Sequence, residues 1–367
     1  MSRDLVQQEI LDSIPNPSHG LVKLAPRVGK TKIGIELIKR EKPKRVLWVT
    51  PNTKLRDIDI PAEFKTWKAL TYLKKTDIIC YASLASHKGE YDKIVLDEYQ
   101  DITKSNSEPF FNGQIKFKTI IGLSGTHPKQ QEKLDLYDRL KLKTLTQMSI
   151  DEAVENGLVA PYNIKVIELK LDNKKKNIKA GGKSTSFMQT EDARYMYLTR
   201  LINAKIFARQ EVPKFFYLNR MRFLYNLESK HKFIKNFISK LEGRTLVFTG
   251  SIAQAEDICK YSFHSGKDDT DLIKFKEGKI NELACVNSGG VGHTFKDVQN
   301  VVIAQVNSNG KGDSTQKIAR GLVLQEGHVA NIYLFYVANT VDQNWVEKVL
   351  QDFDSSKVEY LSSRNYE

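Results

Sequence analysis

Residues 21–31 read Leu-Val-Lys-Leu-Ala-Pro-Arg-Val-Gly-Lys-Thr. An apolar run ends in a short Pro/Gly loop, and Gly29-Lys30-Thr31 then opens a helical stretch over residues 31–41. A strand that turns sharply into a helix N-terminus leaves backbone N–H groups pointing at one spot. There they cradle phosphate, helped by the positive end of the helix dipole. Lys30 is placed to reach β/γ-phosphates and Thr31 to hold Mg²⁺, with the backbone of Arg27, Val28, Gly29 and Lys32 completing the cradle. The pattern G-x-x-x-x-G-K-[ST] is met only in its second half, because Leu24 stands where the first Gly belongs. A Gly-Lys-Thr that opens a helix by chance is the competing reading.

The surroundings favour the phosphate loop. Further apolar runs, RVLWVT (45–50), DIICYA (77–82), KIVLDE (93–98) and TIIGLS (119–124), alternate with helical segments. That alternation predicts a parallel sheet with helices on both faces. KIVLDEYQ (93–100) ends on Asp97-Glu98. Two carboxylates at the C-terminal end of a parallel strand face the crevice where such sheets bind ligands. Asp97 suits Mg²⁺, and Glu98 suits polarising an attacking water. After Arg244 the alternation returns in TLVFTG (245–250), ELACVN (282–287), NVVIAQ (300–305) and NIYLFYV (331–337). The organisation expected is an N-terminal α/β domain over 1–143, a connector over 144–240, a second α/β domain over 241–350 and a tail over 351–367. The Lys-rich stretch 171–186 reads as a solvated hairpin tip or a phosphate contact. The aromatics of KFFYLNRMRFLYNL (214–227) read as core at helical spacing, with base stacking as the rival.

In order, these segments resemble a superfamily 2 helicase or translocase over nearly the whole chain. The phosphate loop is similar to motif I, VLWVTPNTKLRD (46–57) to motif Ia, Asp97-Glu98-Tyr99-Gln100 to motif II, and Leu-Ser-Gly-Thr-His-Pro (123–128) to motif III. TLVFTGS (245–251) resembles motif IV, Ser-Gly-Gly-Val-Gly-His-Thr-Phe (288–295) motif V, and Gln316-Lys-Ile-Ala-Arg320 motif VI. Motifs III and V are closest in form to those of Swi/Snf-type translocases. SIDEAVENGLVAP (149–161) and RMRFLYNLESKHKFI (220–234) resemble connectors of small phage-type helicases and type III restriction ATPase subunits.

The resemblance implies two tandem RecA-like domains with an ATP cleft between them, and ATP with Mg²⁺ as cofactors. It further implies Gln7 (or Gln8) as adenine reader, Gly290 and Gly292 in the nucleotide site, and Gln316 with Arg320 as catalytic residues, Arg320 being the finger across the lobe interface. Ser124, Gly125 and Thr126 would couple hydrolysis to movement. Thr53, Lys54, Tyr81, Ser83, Thr249 and Ser251 would grip nucleic acid. Ala319 and Val323 depart from the Gly and second Arg of the motif VI pattern. A duplex translocase that does not separate strands, and a nucleotide-gated scaffold without turnover, are the other outcomes this sequence allows.

Composition fits a polyanionic partner. Of 367 residues 40% are hydrophobic, and 57 Lys and Arg face 44 Asp and Glu, a net charge of +13. DNA is the partner expected first and RNA second, together with other replication or recombination proteins. Cys80, Cys259 and Cys285 stand apart, which argues against a disulfide framework or zinc site and for a reducing cytoplasm, bacterial or of a phage-infected host. No apolar run is long enough to span a bilayer, and a monomer is expected.

Overall fold

A computed structural model describes residues 2–366 except 127, 129, 183–184, 287–294, 296, 307–310 and 325–326, and for 311–313 it describes the backbone alone. The chain divides into two compact units, Met1–Ala160 and Pro161–Glu367.

The first unit is built on six parallel strands: β1 (Gly20–Leu24), β2 (Val46–Thr50), β3 (Thr76–Cys80), β4 (Gly89–Asp97), β5 (Ile115–Ser124) and β6 (Thr144–Met148). Their order across the sheet is β3-β2-β4-β5-β1-β6. The apolar runs that mark β1, β2, β4 and β5 in the sequence are buried on both faces, as parallel strands covered by crossover helices must be. The helix Lys30–Glu41 lies close against this sheet at Gly34. A Cβ there would come within 2.8 Å of Leu123 Cδ1 and 2.9 Å of the Trp48 ring. The sheet order sets β4, β5 and β1 side by side. The acidic pair, Ser124 and the phosphate loop therefore leave the sheet at one edge from three neighbouring strands.

The second unit carries seven parallel strands: β7 (Tyr162–Leu169), β10 (Arg244–Thr249), β11 (Ser262–Phe263), β12 (Glu282–Val286), β13 (Val298–Ile303), β14 (Ala330–Val337) and β15 (Val358–Ser362). Their order is β11-β12-β10-β13-β14-β7-β15. A separate antiparallel pair, β8 (Ile178–Ala180) with β9 (Phe187–Gln189), forms the Lys-rich hairpin.

The segment 144–240 is thus shared. β6 and the helix Ile150–Glu155 belong to the first unit, whereas β7 runs beside β14 over its full length in the second. Residues 358–362 of the tail pair with β7 as an edge strand. Both additions have a plain cause. Tyr162, Ile164, Val166 and Ile167 are apolar side chains buried in the second unit's core, and β7 leaves an open ladder for one more strand.

That core is tied by a buried polar network. Lys230, from the helix Glu228–Ile238, donates to Gln305 Oε1 and Asp342 Oδ2, both at 2.8 Å. Gln305 Nε2 donates to Asp342 Oδ1 at 2.8 Å, and the Val337 amide reaches Asp342 Oδ2 at 3.2 Å. Lys230 and Asp342 expose no side-chain surface, so each charge depends on the other.

Candidate functional site

The turn from β1 to the helix Lys30–Glu41 needs two residues with positive φ. Arg27 sits at +70° and Gly29 at +105°. At Gly29 that φ strains any side chain, and a Cβ would lie 2.4 Å from Gln7 Nε2 and displace that amide. Leu24, which occupies the place of the first Gly, is fully buried as the last residue of β1. The loop therefore keeps its turn while its strand end is welded into the core. Gly29 gives the helix no side-chain cap, so the amides of its first turn are left for an anion.

An N-terminal helix, Arg3–Ser13, braces this loop. Gln7 is buried. Its Nε2 donates to the Val28 carbonyl at 2.6 Å and its Oε1 accepts from Lys32 Nζ at 2.7 Å. Lys32 also reaches Asp4 at 2.6 Å and lies 4.3 Å from the Trp67 ring centre. Arg3 donates to the Arg27 carbonyl. Gln7 thus faces the phosphate loop, whereas the Gln8 amide donates at 2.8 Å to Asp12 on the exposed side of its own helix.

Across the sheet edge, Asp97 ends β4 and is buried. Burial first, and then the neighbouring Glu98 charge, push its carboxyl up to about 7; Lys30 pulls in the opposite direction. The Trp48 indole beside it also favours the charged form, although its N–H falls short of hydrogen-bond geometry. Glu98 adopts left-handed backbone, φ 52° and ψ 58°, which is strained for a residue with a Cβ and common at working sites. This turn brings Glu98 Oε1 to 3.7 Å from Lys30 Nζ. Gln100 Nε2 donates to Glu98 Oε2 at 3.0 Å.

The Ser124 hydroxyl lies 3.3 Å from the same oxygen and 2.8 Å from the Thr126 carbonyl, and also reaches the Gln100 side-chain oxygen. With one proton to donate, it must choose among the three. It also accepts from the Thr126 amide at 2.9 Å. Lys133 donates to the Gln100 carbonyl. Gln100 and Lys133 thus position Glu98. Gln100 is visible in the sequence as the residue after Tyr99, but nothing in the sequence marks Lys133. Gly125 sits against Pro26 and Leu24, where a Cβ would be 3.2 Å from Pro26 Cδ.

The donors at this edge suit Mg²⁺. Thr31 and Asp97 offer hard oxygen ligands, and no group of three or more His, Cys, Asp and Glu arranged to hold a metal ion exists among the described residues. A site of one or two carboxylates that leaves room for phosphate oxygens and water is what Mg²⁺ takes.

The expected nucleic-acid contacts divide by exposure. Thr53 and Ser83 are exposed, and Lys54 and Ser251 half-buried. Ser251 caps the helix Ile252–Ile258 through the Gln254 amide at 3.1 Å and donates to Asn226 at 3.1 Å. Tyr81 and Thr249 are buried. The Tyr81 hydroxyl donates to the Asp97 carbonyl at 3.1 Å, and the Thr249 hydroxyl lies 3.4 Å from the Ser251 and Cys285 carbonyls. In the second unit Gln316 and Arg320 are half-buried, on and just after the helix Lys311–Ile318; Ala319 is buried and Val323 half-buried. Gly290 and Gly292 lie outside the described residues.

No protein-family model matches this chain, and no curated protein matches it. Solved structures do. The ATP-dependent Type ISP restriction-modification enzyme LlaBIII bound to DNA aligns with 98% of this chain and 31% of its own, with TM-score 0.61 and 12% identity. This chain therefore spans about a third of that enzyme's length. The Pyrococcus furiosus Hef helicase domain aligns with 94% of this chain and 96% of its own, with TM-score 0.52 and 13% identity. S. cerevisiae Dbp5 bound to RNA and ADP BeF3 aligns with 98% and 90%, with TM-score 0.57 and 13% identity. The chain thus shares its fold with these structures, two tandem RecA-like α/β domains each built on a parallel sheet.

Proposed function

We propose that this protein is a nucleic-acid-dependent ATPase that uses hydrolysis to move along or remodel DNA, in replication, recombination or repair. The observation that carries this reading is the convergence of Lys30, Glu98 and Asp97 at the edge shared by β1, β5 and β4, beside a helix N-terminus with uncapped amides. The same fold in a chain bound to DNA, and in one bound to RNA and ADP BeF3, supports it.

In the proposed mechanism the amides of residues 28–32 and Lys30 bind the triphosphate. Lys30 leaves Glu98 for the phosphates as nucleotide arrives. Thr31 and Asp97 would hold Mg²⁺, which would supply charge neutralisation at the phosphates. Glu98 then orients a water, itself held by Gln100 and Ser124. Gln7 sets the loop through the Val28 carbonyl and is proposed as the adenine reader. Gln316 and Arg320 are proposed to act on the γ-phosphate, Arg320 as the finger that offsets its developing charge. Gly290 and Gly292 are proposed to belong to the same site. Ser124, Gly125 and Thr126 would pass the state of Glu98 to the nucleic-acid grips, for which Thr53, Lys54, Ser83 and Ser251 are the accessible candidates. Tyr81 and Thr249 would contribute by shaping strand ends.

Displacement of the third strand of a DNA triplex reports movement without strand separation, and a forked duplex reports separation. ATP-driven displacement in either assay is expected. Inactivity in both, with nucleotide still bound, favours the scaffold reading, for which Val323 in place of the second motif VI Arg is the specific evidence.

A further inference from the structure

The helices Glu191–Phe207 and Lys214–Tyr225 leave more large apolar side chains exposed than they bury. On the first, burial is confined to the stripe Glu191, Tyr195, Leu198 and Ile202; on the second it reaches only Leu224 and Tyr225. Met196, Tyr197, Ile206, Phe215, Tyr217 and Leu218 are exposed, and Phe207 is 85% exposed. The Phe215 and Phe216 rings stack at 4.1 Å, and the neighbouring hairpin exposes Phe187 and Met188. Beside them a cavity of about 290 Å³ is lined by Tyr217, Leu218, Arg220, Met221, Val341 and Trp345. Exposed large apolar side chains clustered in this way are normally covered.

Charge identifies the cover. Residues 171–225 hold twelve Lys and Arg against four Asp and Glu, a surplus of eight within a chain whose whole surplus is thirteen. Arg200, Arg209, Lys214 and Arg222 are exposed among the aromatic rings. Flat rings interleaved with cations suit a polyanion that offers flat faces of its own, as unpaired bases do.

We infer that this helical pair and its hairpin form a second nucleic-acid site, separate from the strand-end grips. It would bind single-stranded nucleic acid by stacking unpaired bases on Phe207, Phe215 and Tyr217 while the surrounding Lys and Arg hold the phosphates. The inference rests on the nucleic-acid reading above and gives it a substrate preference. The site lies wholly in the second unit and needs no nucleotide.

The test compares the full-length protein with the triple variant Phe207→Ala/Phe215→Ala/Tyr217→Ala and the conservative variant Phe215→Tyr/Tyr217→Phe. Binding of fluorescent oligo(dT) and of a blunt duplex is measured without nucleotide, with melting temperature as the check on folding. The triple variant should melt as the wild type does and bind oligo(dT) roughly tenfold or more weakly, the loss of one or more base–ring stacks. Duplex affinity should stay within about twofold, and the conservative variant should bind as the wild type does. Equal losses for oligo(dT) and duplex, or no loss for either, overturn the inference. DNA-stimulated ATP hydrolysis on the same preparations keeps the two readings apart. Unchanged oligo(dT) binding with hydrolysis intact removes this site and leaves the motor standing. Selective loss of binding in a protein that never hydrolyses ATP does the reverse. A wild type that does not bind oligo(dT) overturns this inference outright.

Discussion

Asp97 shows most clearly how one residue's surroundings set its chemistry. Its folded-state value of about 7 lies above the ordinary 3.8, so the folded protein holds a proton that the unfolded chain releases over that interval. The metal-free protein should therefore lose stability as pH rises from about 4 to about 7. Asp97→Asn removes the buried charge. It should raise stability above pH 7 by an amount on the order of a few kcal/mol and change little near pH 4, while abolishing hydrolysis. Thermal melts of both proteins across that range check the sign, and parallel curves would contradict it. Gly29 gives a second prediction at this scale. Gly29→Ala meets both a positive φ and the Gln7 amide, and should abolish binding of a fluorescent ATP analogue. Gly113→Ala, also at positive φ (+80°) but with no atom near, should leave that binding intact.

At the scale of elements, strand positions were largely legible because buried parallel strands are continuous apolar runs. β1, β2, β4, β5, β10, β12, β13 and β14 all lie within a few residues of their expected places. What escaped was β6, β11 and β15. Thr144–Met148 and Val358–Ser362 are half polar edge strands, and Ser262–Phe263 is only two residues long, so none has the apolar signature. The helix Lys214–Tyr225 escaped in another way. Its aromatic spacing reads as core, but only its last turn is buried. Periodicity reports which residues can share a face, not whether anything covers that face.

The network joining the helices Glu228–Ile238 and Val341–Leu350 was also invisible, since Lys230, Gln305 and Asp342 are far apart in sequence. Lys230→Ala should cost about 3–5 kcal/mol, because it strands the Asp342 charge in the core. Lys230→Met with Asp342→Asn, which keeps an acceptor for the Val337 amide, should recover most of that in chemical denaturation. A double variant as unstable as the single would show that the cost lies in packing rather than charge.

For the molecule as a whole, the two RecA-like units could be read from the sequence because motif order and strand rhythm repeat the same architecture twice. Of the candidate site, the sequence offers the residues whose type the chemistry dictates, and Lys30, Thr31, Asp97 and Glu98 do lie at one sheet edge. The site was not legible where geometry alone recruits a side chain, as with Lys133 on the Gln100 carbonyl or Arg3 on the Arg27 carbonyl. The +13 charge makes a prediction of its own. Nucleic-acid affinity should fall steeply and log-linearly with salt, with a slope that counts the phosphates neutralised, and a flat response would remove phosphate contacts as the main grip.

Steady-state ATP hydrolysis, measured with and without DNA beside a Lys30→Ala control, tests the central claim most directly. The account predicts turnover that DNA raises several-fold and that Lys30→Ala abolishes. Turnover no higher than the control, with nucleotide still bound, would contradict it and leave a nucleotide-gated scaffold on a motor fold.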